Sequence, residues 1–150
     1  MPTIAEGDRF PHVSGKTFQG EQIDLSGYAG KRNVVLYFYP RDLTPGCTRE
    51  AIDFDRKLAD FDAHDTTVIG MSVDPLEAHQ TFTTSCGLHF PLLSDEGGAL
   101  SDTLGIKADQ GYSRRTTFVI DKTGVVRKVF EVQGVDGHVD QVLEAVRSLA

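Results

Sequence analysis

At 150 residues, with 39% apolar and 25% charged side chains, the chain has enough material for one domain, 1–150, with its own core. Its net charge of −7, with acids and bases interspersed and no Lys/Arg cluster, argues against nucleic acid or an anionic membrane as a partner. The chain shows no bilayer-length apolar run, no secretory pattern at its start and only two cysteines, so a cytoplasmic protein is expected.

In chain order, a Ser14-Gly15-Lys16 turn followed by residues 18–25 reads as an N-terminal β-hairpin. The apolar run 34–39 is a buried strand. From Pro45 to about Ala63, the residues Ala51, Phe54, Leu58 and Phe61 recur at three- and four-residue steps, the mark of one buried helical face. Residues 67–72 form a second apolar, β-branched strand. Asp74-Pro75 opens the next helix, and Gly87 follows its end at Cys86. Leu92-Leu93 reads as a short strand and residues 98–104 as a short helix. Residues 116–121, the turn Lys122-Thr123-Gly124 and residues 125–132 give a strand-turn-strand signal. Val139, Val142, Leu143, Val146 and Leu149 mark a closing amphipathic helix. Helices alternate with strands early, and a hairpin comes late. That order predicts an α/β fold with a central mixed sheet flanked by helices.

The chemistry concentrates where the first buried strand ends. Tyr37-Phe38-Tyr39-Pro40 runs into a polar turn, and Thr44 then precedes Pro45, Gly46 and Cys47. Threonine is a good N-cap and proline suits the first helical position, so a helix should begin here. Cys47 then lies in its first turn, facing unpaired backbone N–H groups and the positive end of the helix dipole. That setting favours a thiolate, the nucleophilic form of cysteine.

These residues carry a resemblance. Pro40-x-x-x-Thr44-x-x-Cys47 matches the peroxiredoxin active-site pattern. The wider text through Arg49-Glu50-Ala51 is similar to the peroxiredoxin Q, or bacterioferritin co-migratory protein, subfamily. The likeness continues through Gly70-Met71-Ser72-Val73-Asp74, Phe90-Pro91-Leu92-Leu93-Ser94-Asp95 and Arg115-Thr116-Thr117-Phe118-Val119-Ile120-Asp121. It implies a thioredoxin-like fold and an oxidoreductase that reduces hydrogen peroxide and organic hydroperoxides without metal, haem, flavin or selenium. Cys47 would be the peroxidatic cysteine, becoming a sulfenic acid. Thr44 and the N–H groups of Gly46 and Cys47 would hold the peroxide, and Pro40 would shield the sulfur. Arg115, three residues before Phe118, would supply a permanent charge, with Arg114 facing the other side of the strand. Glu50 would orient the guanidinium.

Cys86 departs from the pattern. Many members carry a resolving cysteine five residues after the peroxidatic one, where this chain has Ile52. Others carry it in the helix after the second core strand, near where Cys86 falls. On that likeness Cys86 would resolve Cys47 through an intramolecular disulfide, recycled by thioredoxin or a similar dithiol, in a monomeric protein. A peroxidase with one working cysteine, regenerated by external thiol, is the rival within enzymes. A non-enzymatic thioredoxin-fold binding module is the rival from another class. A disulfide oxidoreductase is disfavoured, because Cys47 is followed three residues later by Glu50 and not by a second cysteine. His12, His64, His79, His89 and His138 lack metal-ligand spacing and read as surface or core residues.

Overall fold

The computed structural model describes residues 2–149. Five strands, β3 (Asn33–Phe38), β4 (Thr66–Ser72), β5 (Leu92–Ser94), β6 (Thr116–Ile120) and β7 (Val126–Glu131), form one sheet in the order β5-β4-β3-β6-β7. The β5, β4 and β3 strands run parallel, while β6 runs antiparallel to both β3 and β7. A separate two-stranded hairpin, β1 (Ser14–Lys16) with β2 (Gln22–Asp24), precedes them. The helices are α1 (Pro45–Arg56), α2 (Leu58–Asp62), α3 (Leu76–Cys86), α4 (Ala99–Thr103) and α5 (His138–Arg147). This is the expected mixed sheet flanked by helices, with its hairpin in front.

The central strand explains the layering. All six residues of β3 are buried, as a strand covered on both faces must be. Alternate side chains leave on opposite faces. Val35, Tyr37 and Tyr39 enter one cluster with Cys47, Ala51, Phe54, Phe82, Val142 and Val146, whereas Val34, Leu36 and Phe38 enter the other with Phe10, Ile23, Leu104 and Phe118. So α1, α3 and α5 cover one face, and the hairpin with α4 covers the other. Tyr37 stacks on Phe54, with ring centroids 4.5 Å apart. Truncating a buried ring of this kind costs about 3–5 kcal/mol. Gly70 faces Tyr37 across the β3–β4 pair; a Cβ there would lie 2.7 Å from Leu92 and 3.0 Å from the Tyr37 ring.

Three local expectations need correction. Ser14-Gly15-Lys16 is itself the first strand of the hairpin, and the reversal comes after it, where Thr17 Oγ1 accepts the N–H groups of Gln19 and Glu21. The long helix from Pro45 divides at Lys57, whose N–H turns back to Phe54 O at 3.0 Å, a tighter closure than the α-helical one. Pro75 stands just outside α3 as its cap, with extended backbone, and Leu76 is the first helical residue. The end of that helix is as read: Gly87 takes the left-handed conformation (φ 65°) directly after Cys86.

Candidate active site

The strand register builds the site. β3 ends at Phe38, and the chain turns through residues 39–44 into α1. Because β6 is antiparallel to β3, with Thr116 opposite Phe38, the residue just before β6 lies beside the end of β3. That residue is Arg115. Its Nη2 lies 3.3 Å from Cys47 Sγ, and its Nη1 donates to Glu50 Oε1 at 2.5 Å. A side chain from residue 115 thus closes over the first turn of α1, 68 positions away in sequence. Arg114 is held elsewhere, donating to Gly105 O. A Cβ at residue 46 would sit 3.3 Å from Arg115 Nη2, so glycine leaves room for the guanidinium against the helix start.

Cys47 is 1% exposed and Glu50 fully buried. A cation against the sulfur stabilises its anionic form more strongly where water is excluded. The Gly46 and Cys47 N–H groups, in the first turn, have no intrahelical acceptor and add to the local positive potential. Pro40 is half-buried at the start of the turn. Thr44 occupies the cap position, but its hydroxyl makes no capping bond and donates instead to Arg41 O at 3.1 Å. The capping contact expected from its residue type is not made. A short donor to a neighbouring carbonyl competes with that bond, as threonine often allows.

Glu50 is the most perturbed acid of the site. Burial raises its carboxyl from 4.5 to about 7, opposed by Arg115 beside it. Its second oxygen, Oε2, has no hydrogen-bond partner among the described residues and lies 3.7 Å from His138 Nε2. His138, 3% exposed, also meets Thr117 Oγ1 at 2.9 Å and packs edge-on against Phe130 and Phe54. Burial first, and then Arg115, lowers His138 from 6.5 to about 4, so the ring is neutral at pH 7. Burial also drives the Tyr37 phenol well above its usual value, helped by Glu50 and Cys47.

Cys86 closes the last turn of α3, partly buried against the same cluster that contains Cys47. Both cysteines are free. Burial pushes the Cys86 thiol up. His79 is the core residue that the sequence allowed it to be, fully buried, but its partner, the Asp42 carboxylate at 2.6 Å, was not foreseen.

Comparison with known proteins identifies the family. The AhpC/TSA family model matches residues 6–129. A putative peroxiredoxin bcp of Coxiella burnetii is 38% identical over 94% of this chain and 97% of its own length. The crystal structure of peroxidoxin BcpB from Mycobacterium tuberculosis superposes with a TM-score of 0.92 at 31% identity, covering 98% of this chain and 99% of that one. A Xanthomonas campestris bacterioferritin comigratory protein, studied for alkyl peroxide reduction through trapped intermediate and ligand complexes, gives 0.86 at 29% identity over 99% and 98%. With a buried thiol under an arginine, on a thioredoxin-type sheet, the chain belongs to the AhpC/TSA family and is a thiol-dependent peroxidase of the peroxiredoxin Bcp/Q group.

Proposed function

We propose that Cys47 is the peroxide-reducing residue and that Arg115, Thr44, Pro40 and the Gly46 and Cys47 N–H groups form its binding site. The observation that carries this is the Arg115 guanidinium, shared between Cys47 Sγ at 3.3 Å and Glu50 at 2.5 Å. The Cys47 thiolate attacks one peroxide oxygen, the S–O bond forms as the O–O bond breaks, and the other oxygen leaves as an alkoxide or hydroxide that takes up a proton. Cys47 is then a sulfenic acid. The step has two needs, a nucleophilic sulfur and a place for the charge that develops on the departing oxygen. Arg115 and the helix N–H groups meet the second need, stabilising charge on the departing oxygen. Glu50 holds one end of the guanidinium and so aims the other. Hydrogen peroxide and organic hydroperoxides are both proposed as substrates; the alkyl peroxide chemistry of the Xanthomonas relative supports the second class.

Cys86 is proposed to attack the sulfenic sulfur, forming a Cys47–Cys86 disulfide and releasing water, with thioredoxin or a similar dithiol reducing that bond. Gly87 supports this reading, since a helix ending on a left-handed glycine frays at low cost. The raised Cys86 thiol favours the rival instead, in which an external thiol regenerates Cys47. The protein is proposed to act as a cytoplasmic monomer folded as a single unit over 1–150, without nucleic-acid or membrane partners. Among the described residues no helix is long and apolar enough to cross a membrane.

Replacing Cys47 by Ser should abolish peroxide consumption while the circular dichroism spectrum stays unchanged. Retained activity in a folded C47S protein would overturn the assignment.

A further inference from the structure

The turn that delivers the chain from β3 to Cys47 is held from below by buried polar side chains. Asp42 sits at its centre. The carboxylate accepts from Tyr39 Oη at 2.6 Å through Oδ1, and Oδ2 lies 2.6 Å from His79 Nδ1. The Asp42 N–H donates to Asp74 Oδ2 at 2.8 Å, and Asp74 Oδ2 also accepts from Ser72 Oγ. On its other edge, His79 Nε2 lies 2.9 Å from the Leu93 carbonyl oxygen. The His79 side chain is 0% exposed and the Asp42 side chain 3%.

Hydrogen-bond accounting fixes the protons. A carbonyl oxygen only accepts, so Nε2 must carry a hydrogen and donate to Leu93. One further proton then lies between Nδ1 and Asp42 Oδ2, on whichever atom. A merely apolar residue in this place would leave the Asp42 carboxylate buried with an oxygen unpaired, a costly state. The ring therefore does two jobs at once, joining the turn to β5 through α3.

Next to this anchor the backbone is strained. Leu43 has φ 66°, one of two non-glycine residues in the left-handed region, and it is the one large apolar side chain that stands exposed among the described residues. Such conformations persist only where the surroundings over-determine them. Asp42 supplies that: both its carboxylate oxygens and its N–H are engaged. Thr44 and the first turn of α1 follow at once.

We propose that His79 is a positioning residue for Cys47, acting through Asp42 to hold the turn at residues 40–44 in the strained form that sets Thr44 and the start of α1. The proposal rests on Cys47 being the reactive thiol, but it concerns a residue whose hydrogen bonds go to Asp42 and Leu93 and not to the sulfur. It also ties two parts of the chemistry together mechanically, since His79 lies on α3, two helical turns before Cys86 and on its face.

The first test uses the unmodified protein. In long-range ¹⁵N–¹H spectra of the reduced chain, His79 Nε2 should carry a slowly exchanging proton, and its ring should not interconvert between tautomers. A freely exchanging or unprotonated Nε2 would overturn the proposal. The second test is a double-mutant cycle read as the rate of Cys47 alkylation by iodoacetamide, followed by mass spectrometry, and separately as the rate of Cys47 oxidation by peroxide. Asp42→Ala removes both carboxylate contacts from the turn and should slow both reactions by about ten- to a hundredfold, the scale of a small misplacement of a reacting group. H79Q, which can retain only one of the two bonds, should slow them by a similar factor. If His79 acts through Asp42, the double variant should be no slower than either single one. Strictly multiplicative effects, or single variants that stay folded and react at the wild-type rate, would show His79 to be core packing only. Alkylation is independent of peroxide chemistry, so loss of turnover with unchanged alkylation would count against the peroxidase reading and not against the clamp.

Discussion

The two cysteines occupy opposite ends of two helices on the same face of the sheet, against one apolar cluster, and their electrostatic surroundings differ. Cys47 lies in the first turn of α1, where the helix dipole is positive, under a guanidinium held by a buried carboxylate. Cys86 lies in the last turn of α3, where carbonyls face outward, and burial raises its thiol with no charged group to offset it. The same atom thus faces a guanidinium at a helix start in one place and lacks any charged neighbour at a helix end in the other. Helix end and one cation make the difference, not cysteine itself.

That contrast can be broken most sharply at the cation. Arg115→Ala should slow Cys47 oxidation by about 10²–10³, the usual cost of losing a preorganised donor to developing charge. It should also slow Cys47 alkylation at neutral pH, because the thiolate loses its counterion. Arg114→Ala, whose guanidinium goes to Gly105, should leave both rates within about twofold. Stopped-flow oxidation of the two variants, side by side, decides which arginine serves the sulfur.

The next largest effect belongs to the second cysteine. Cys86→Ser should react once with peroxide at the wild-type rate, then stall as a sulfenic acid or over-oxidise to the sulfinic state, and lose turnover with thioredoxin. The wild-type protein, oxidised once, should be a monomer lighter by two hydrogens. Normal cycling of the C86S protein would leave the external-thiol route standing.

A smaller, opposite-signed pair of effects should appear in stability against pH. Glu50, raised to about 7, binds its proton more tightly in the folded chain than in the unfolded one. Its contribution is full below about 4.5 and is lost as pH rises through 7. His138, lowered to about 4, does the reverse: its contribution is full above 6.5 and is lost as pH falls through 4. Between pH 4.5 and 6.5 the two offset, and urea midpoints should vary little from this source. Glu50→Gln removes one side of the balance. Its stability should climb with pH between 4 and 6.5, by up to about 3 kcal/mol. A flat profile in that variant would show that His138 is not held neutral by its site.

Much of this is legible in the amino-acid sequence itself. Buried strands carry continuous apolar runs, so 34–39 and 67–72 stood out, and glycine after Cys86 marked the end of α3. The Thr44-Pro45-Gly46-Cys47 run announced a helix start, and the residue three before Phe118 proved to be the arginine at the sulfur. What was hidden is long-range or depends on a bond not made. Nothing local says that the Thr44 hydroxyl prefers Arg41 O to its capping role, or that the helix tightens at Lys57. The anchoring of Asp42 by His79 joins residues 37 positions apart, and a lone histidine gives no hint of two buried acceptors. Likewise His138 could be read only as core or surface; its place beside Glu50 follows from how α5 packs on α1.

The central claim is that Cys47, not Cys86, meets the peroxide. The most direct measurement is to treat the reduced protein with one equivalent of hydrogen peroxide in the presence of a sulfenic-acid trap such as dimedone, using the C86S and C47S variants in parallel, and to locate the adduct by peptide mass spectrometry. The account predicts a stoichiometric adduct on Cys47 in the C86S protein and none on Cys86 in the C47S protein. An adduct forming on Cys86 in the absence of Cys47, at a comparable rate, would contradict it.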